Sequence, residues 1–156
     1  MKIGIVMGST SDWNVMKGAV EILEAFDVEN EVKVLIAHRT PHQLEEWVNN
    51  LRERGFAAVI AGAGGAAHLA GVVAAFTTLP VIGVPVKGNA FEGMDSLLSM
   101  VQMPSGIPVA VVAVNGAKNA ALLAIEILAV TDLSLKNKMD NFRKEQADKV
   151  LSSVLS

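Results

Sequence analysis

The chain has 156 residues, 51% of them apolar and 19% charged, with a formal net charge of −3 and no cysteine. That length suits one domain with a sizeable core, and the apolar balance excludes disorder. The weak negative charge offers nothing to a nucleic-acid backbone, and the lack of cysteine excludes a disulfide framework, thiolate catalysis and a Cys-based zinc site.

Lys2–Met7 is too short and too quickly followed by a Gly-Ser turn to be a signal peptide, so it reads as a first strand. A helix over Asp12–Phe26, a strand over Glu31–Ile36 and a helix over Pro41–Arg54 follow, with Pro41 suited to a first helical turn. Then come a strand over Ala57–Ala61, a helix over Ala66–Phe76, a strand over Val81–Val86 and a helix over Gly93–Gln102. A strand over Val109–Val114 and a helix over Ala117–Ala129 complete the alternation. The strands are rich in Val and Ile on both faces, as parallel strands covered by helices are. The pattern predicts a three-layer, doubly wound α/β fold with five parallel strands and right-handed crossovers.

Ala57–Val86 contains no Asp, Glu, Lys or Arg and is long enough to mimic a membrane span. Gly62, Gly64, Gly65, Gly71, Pro80, Gly83 and Pro85 break it, which would leave backbone groups unpaired in lipid. Burial is the better expectation. The uncharged helix from Ala66 is poorly suited to a monomer surface, and is expected to pack on another subunit. After Thr131, Leu135, Met139, Phe142, Gln146, Val150 and Val154 recur at three- and four-residue spacing among charged residues. This is an extra C-terminal amphipathic helix that the sheet does not need. Packing on its own domain and reaching onto a neighbouring subunit are both open. The whole chain, 1–156, is expected to form one domain.

Ligands of an open parallel sheet bind beyond the carboxyl ends of the strands. The first such loop, Gly8-Ser9-Thr10-Ser11-Asp12, offers hydroxyls beside a helix start, where an anion is favoured. Asp12 would repel an anion and is better used accepting from sugar hydroxyls. Plain N-capping by Ser11 or Asp12 is the alternative. The second loop, Ala37-His38-Arg39-Thr40-Pro41, puts His38 on the ligand side. Imidazole gives and takes protons near neutrality, and Arg39 supplies a planar fork for phosphate. An exposed His-Arg pair without function is the plain alternative.

The third loop, Gly62-Ala63-Gly64-Gly65-Ala66-Ala67-His68, matches G-x-G-x-x-G/A, but no acidic residue follows at about 20 positions to hold a ribose, so a nicotinamide site is not expected. Its use is close backbone approach to a flat ligand. His68 either faces the site or merely opens a helix. His38 and His42 lack an accompanying carboxylate cluster, so no metal is expected. A phospho-acceptor receiver fails for want of acids after the first and third strands.

The motifs Gly8-Ser9-Thr10-Ser11-Asp12-Trp13, Ala37-His38-Arg39-Thr40-Pro41, Gly62-Ala63-Gly64-Gly65-Ala66-Ala67-His68-Leu69, Gly83-Val84-Pro85-Val86, Asp95-Ser96-Leu97-Leu98-Ser99, Gln102-Met103-Pro104 and Asn119-Ala120-Ala121-Leu122-Leu123 occur in that order. From Ile3 to about Val150 the chain closely resembles the N5-carboxyaminoimidazole ribonucleotide mutase family of purine biosynthesis. The resemblance implies a cytoplasmic homo-octamer of flavodoxin-like subunits with sites at subunit contacts and no cofactor or metal. It implies a carboxylate shift from the exocyclic nitrogen to C4 of the imidazole, giving 4-carboxy-5-aminoimidazole ribonucleotide, with CO2 held transiently. It also implies functional coupling to an ATP-dependent N5-carboxylating synthetase.

By that resemblance, His38 carries the proton, Arg39 with Ser9 and Ser11 holds phosphate, and Asp12 holds ribose hydroxyls. Ala37 sits beside them, and Gly64, Gly65, Ala66, His68 and Leu69 border the base and carboxylate. The sister class, which carboxylates aminoimidazole ribonucleotide directly with CO2, has Lys after the catalytic His and Gly-Arg-Ser-Asn for the Gly-rich run. Arg39 and Gly64-Gly65 point to the mutase class. A non-catalytic ligand-binding module on the same fold is the other alternative. The chain departs from many family members at Ile36 (Ser), at Ala70 (Pro), and in Lys87-Gly88-Asn89-Ala90-Phe91-Glu92-Gly93, which lacks an initial Gln-Ser.

Overall fold

In the computed structural model, which describes residues 1–153, the first strand β1 (Lys2–Met7) is buried on both faces. Ile3, Ile5 and Met7 point into one core and Val6 into another. This is the period-two alternation of a strand sandwiched between helix layers. Gly4 points to the Val6 side, where an added Cβ would lie 3.1 Å from the indole of Trp47. The missing side chain makes room for that ring.

The strands β2 (Asn30–Val34), β3 (Phe56–Gly64), β4 (Val81–Val86) and β5 (Ala110–Val111) join β1 in one parallel sheet of order β2-β1-β3-β4-β5. Helices α1 (Trp13–Ala25) and α5 (Ala117–Ala129) cover the Ile3 face through Met16, Leu23 and Ile125. Helices α2 (Pro41–Asn49), α3 (Leu69–Phe76) and α4 (Met94–Val101) cover the other through Leu44, Val73 and Met100. The three-layer, doubly wound, five-stranded fold predicted from the pattern is the one observed, with the flavodoxin-like strand order.

Several boundaries differ from the sequence expectation for local reasons. β2 stops at Val34, not Ile36, because the Thr40 hydroxyl accepts from the Ile36 N–H (2.8 Å) and donates to the Ile36 carbonyl (3.0 Å). β3 continues past Ala61 through the glycines to Gly64. α2 ends at Asn49 rather than Arg54, in turns closed at Gly55 with φ of 82°. α3 starts at Leu69 rather than Ala66, after a tight turn in which the His68 N–H reaches the Ala66 carbonyl at 2.9 Å. β5 is only two residues, not six. Pro85 of β4 has no N–H to offer that edge, so the regular ladder ends there, although the Asn115 N–H still donates to the Pro85 carbonyl at 2.8 Å.

α3 is covered by its own chain more than its lack of charge suggests, since Leu69, Ala70, Val73 and Ala74 are all buried without a second subunit. The last helix, α6 (Leu133–Leu151), is capped by Asp132, whose carboxylate accepts from the Ser134 and Leu135 N–H groups. It docks by Leu135 and Met139, both buried, and by an edge-on contact of Phe142 with Phe26 at 5.6 Å. From Arg143 to Ser153 every side chain is exposed, Val150 included. Val154 lies outside the described residues. Among the described residues no helix is long and apolar enough to cross a membrane.

Candidate active site

The strand order reverses between β1 and β3, and loops on either side of such a point part to leave a crevice. A cavity of about 540 Å³ opens there. Four loops bound it, and every residue that the family resemblance assigns to the site lies on its wall. The loop after β1 contributes Ser9, Ser11 and Asp12, and the loop after β2 contributes Ala37, His38 and Arg39. The end of β3 and the turn beyond it contribute Gly64, Gly65, Ala66, His68 and Leu69.

Ser9 is extended (φ −151°, ψ 153°) and caps a single 3₁₀ turn, Thr10–Asp12, that leads into α1. Its hydroxyl accepts from the Ser11 N–H at 3.2 Å, while Asp12 Oδ2 accepts from the Ser9 N–H at 3.1 Å. This is a reciprocal capping box. Capping is therefore present here, by Ser9 and Asp12, and Asp12 makes no side-chain cap bond to α1 itself. The Ser11 hydroxyl donates to Ser9 Oγ at 2.9 Å, which sets two hydroxyls side by side on the cavity rim. Burial pushes the Asp12 carboxyl above its usual range, while the Ser9 N–H and the Ser11 hydroxyl pull it back.

Thr40 closes the second loop, as described, and turns His38 and Arg39 outward at the cavity mouth. Among the described residues Arg39 has no carboxylate partner, so its guanidinium is available to an anion. Ile36 also lines the cavity, an apolar contact at a position where many family members have Ser.

His68 sits in the turn before α3 with its ring against His38. His38 Nε2 and His68 Nδ1 are 2.9 Å apart, and the rings stand edge-on at 87°. One nitrogen must donate and the other accept, so this contact holds one proton between two imidazoles. A protonated pair would set two N–H groups against each other. The contact fixes the two rings relative to each other on the cavity wall.

The glycine run divides its tasks. Gly62 is not a loop residue but lies within β3, where an added Cβ would be 2.3 Å from Met16 Sδ. It serves packing under α1 and does not line the cavity. A Cβ on Gly64 would lie 3.1 Å from the Val86 carbonyl. Gly65 takes φ of 63°, left-handed backbone that favours glycine, with open space beside it. The bare Gly64 thus admits the Val86 carbonyl of β4, and Gly65 leaves its stretch of the cavity wall open. Ala70, where many family members have Pro, is buried and faces Gly83.

The fourth loop was not among the candidates. Val86, Lys87, Gly88 and Asn89 complete the cavity wall, and the Lys87 N–H donates to Asn115 Oδ1 at 2.9 Å. The available signal was topological, since any loop at the carboxyl edge near the reversal is a ligand contact. His42 is exposed at the start of α2 and does not line the cavity. Among the described residues no group of three His, Asp or Glu side chains is placed to hold a metal ion.

A family model described as AIR carboxylase matches residues 2–149. The chain is 58% identical over 144 residues to an N5-carboxyaminoimidazole ribonucleotide mutase of Pyrococcus abyssi, covering 92% of this chain and 83% of that one. It is 55% identical over 155 residues to a protein of the same name from Vibrio vulnificus, covering 98% and 96%. The crystal structure of Treponema denticola PurE matches with a TM-score of 0.85 at 28% identity, covering 96% of this chain and 93% of that one.

Proposed function

The chain belongs to the AIR carboxylase family, and on that premise we propose that it converts N5-carboxyaminoimidazole ribonucleotide to 4-carboxy-5-aminoimidazole ribonucleotide in purine biosynthesis. The observation that carries the reading is the His38–His68 pair, 2.9 Å apart, set between an unpaired guanidinium and a side-chain-free wall. A nucleotide phosphate meets Arg39 and the Ser9 and Ser11 hydroxyls. Asp12 accepts from the ribose hydroxyls. The flat imidazole lies against Gly64, Gly65 and Ala66, with Ala37 and Leu69 closing its edges.

In the chemical step the bond from the exocyclic nitrogen to the carboxylate carbon breaks and CO2 leaves. Protonated His38 gives its proton to that nitrogen. C4 then attacks CO2, a carbon–carbon bond forms, and neutral His38 takes the C4 proton. The proton balance is zero and the carboxylate carbon leaves and re-enters without net redox change, so no oxidant is consumed, and we infer that the enzyme works without a cofactor. Positioned proton transfer of this kind contributes ~10²–10⁴-fold to rate. His68 holds His38 in orientation before the ligand enters.

The same reading makes the chain one catalytic domain of a cytoplasmic homo-octamer, with the exposed outer half of α6 against a neighbouring subunit. An ATP-dependent synthetase supplies the N-carboxylated substrate. His38→Asn tests the assignment. Turnover of the N-carboxylated substrate should fall by at least ~10²-fold, with the assembly unchanged in analytical ultracentrifugation. Substantial residual turnover would refute the role of His38. Efficient saturable carboxylation of aminoimidazole ribonucleotide at low bicarbonate would replace the mutase by the CO2-dependent carboxylase.

A further inference from the structure

The segment between β4 and α4 contains the run where the chain departs from the family it resembles, and its two charged side chains answer each other. Lys87 pairs with Glu92, with side chains 48% and 77% exposed. Both ends of the segment are held. Lys87 is tied by its N–H to Asn115, and Gly93 is seated against Val114. The buried Ser96 hydroxyl reaches the carbonyls of both Val86 and Gly93. Between these anchors Phe91 and Glu92 take φ of 54° and 53°, successive left-handed residues neither of which is glycine. The Phe91 side chain is 76% exposed, so no core contact holds this geometry. Besides the Ser96 hydroxyl at its roots and the Met94 N–H that donates to the Phe91 carbonyl, the Lys87–Glu92 pair spans it.

Lys87 lies on the cavity wall, next along the chain from Val86, which pairs with Gly64. Arg39 follows β2, at the other side. The order β2-β1-β3-β4 separates the two strand ends by three spacings, roughly 14 Å at ~4.8 Å each. Arg39 and Lys87 thus reach the one cavity from strand ends on opposite sides of β1 and β3. They suit a ligand with an anion at each end. On the carboxylate-transfer reading, on which this inference rests, the phosphate goes to Arg39 and a carboxylate remains at the imidazole end.

We propose that Lys87 binds the substrate carboxylate, and that Glu92 is an internal carboxylate occupying Lys87 until the ligand arrives. The exchange replaces one carboxylate by another, so the lysine is not left unpaired. Freed of Lys87, Glu92 can leave its left-handed conformation. When the substrate carboxylate becomes neutral CO2, Glu92 takes Lys87 back. Lys87 thereby discriminates carboxylated from carboxylate-free ribonucleotides.

Calorimetric titration of 4-carboxy-5-aminoimidazole ribonucleotide and of aminoimidazole ribonucleotide tests this on the full chain. Glu92→Gln should tighten the carboxylated ligand roughly two- to five-fold. Lys87→Gln should weaken it about tenfold, and Lys87→Arg should recover most of the loss. Glu92→Gln should add nothing in the Lys87→Gln background, and the carboxylate-free ligand should be unaffected throughout. Equal shifts on both ligands, or weaker binding on Glu92→Gln, would overturn the proposal. Wild-type protein that discriminates the ligands in this way but does not turn over would refute the mutase reading alone. Protein that binds neither ribonucleotide would overturn both.

Discussion

Replacing Ser96 by alanine should loosen one wall of the cavity from inside α4. Ser96 is fully buried, and its hydroxyl lies 3.0 Å from the Val86 carbonyl and 2.9 Å from the Gly93 carbonyl. The single hydroxyl proton is shared between two carbonyls at the two roots of the Lys87–Gly93 segment. Alanine removes that proton without making a cavity of consequence, so the cost is that of buried acceptors losing a donor, about 1–3 kcal/mol. In a chain of this size each kcal/mol moves Tm by ~2–4 °C, which sets the expected fall at roughly 2–12 °C. Differential scanning calorimetry reads it. Ser99→Ala is the control, because its hydroxyl bonds only the Asp95 carbonyl of its own helix (2.6 Å) and alanine's helix propensity is higher. The KM for the N-carboxylated substrate should also rise in Ser96→Ala alone. Equal Tm changes in the two variants, or a fall below about one degree in Ser96→Ala, would refute the reasoning.

Glu31 accepts from the Trp47 indole N–H and pairs with Arg54, which hold its carboxyl below its usual value of 4.5. A depressed folded pKa means the stabilisation is present above that value and lost as pH falls through the folded one. The Tm gap between wild type and Glu31→Gln should therefore be largest above pH 4.5 and close on acidification. Because the pair is partly exposed, the gap should correspond to about 1 kcal/mol or less. Asp12 has the opposite sign. Its carboxyl is raised from 3.8, so its contribution is full below that value and lost as pH rises through the folded pKa, a loss that Asp12→Asn should abolish. Gly62→Ala should cost about 1–3 kcal/mol by overpacking against Met16. Met16→Ala combined with it should cost less than the sum of the single changes in urea unfolding, and strict additivity would exclude that contact. If α6 makes the subunit contact proposed above, Val150→Asp on its exposed half should yield dissociated subunits in ultracentrifugation while their far-UV circular dichroism stays that of wild type.

The sheet was legible because its strands are short apolar runs separated by helical periodicity, which allows few packings. β1 and β4 are read to the residue, as is α5. What failed were ends that depend on one distant or local partner. Thr40 cuts β2 short, and Pro85 on the neighbouring strand denies β5 its donor. The candidate site was legible loop by loop, because strand–loop–helix order marks the ligand edge whatever the loops contain.

From the sequence alone came the layered fold, the carboxyl edge as the place for a ligand, and His38, Arg39, Ser9 and Ser11 as candidates there, with their proposed roles drawn from the family resemblance. The fold, the edge and the candidates follow from local pattern and residue type. Only the tertiary structure decided that His68 meets His38, that Gly62 serves Met16 and not a ligand, and that Lys87 completes the wall while held by Glu92. Each of those depends on which strand lies beside which and where a loop turns back. Sequence spacing does not encode these distances, because through-space neighbours such as His38 and His68 are 30 residues apart along the chain.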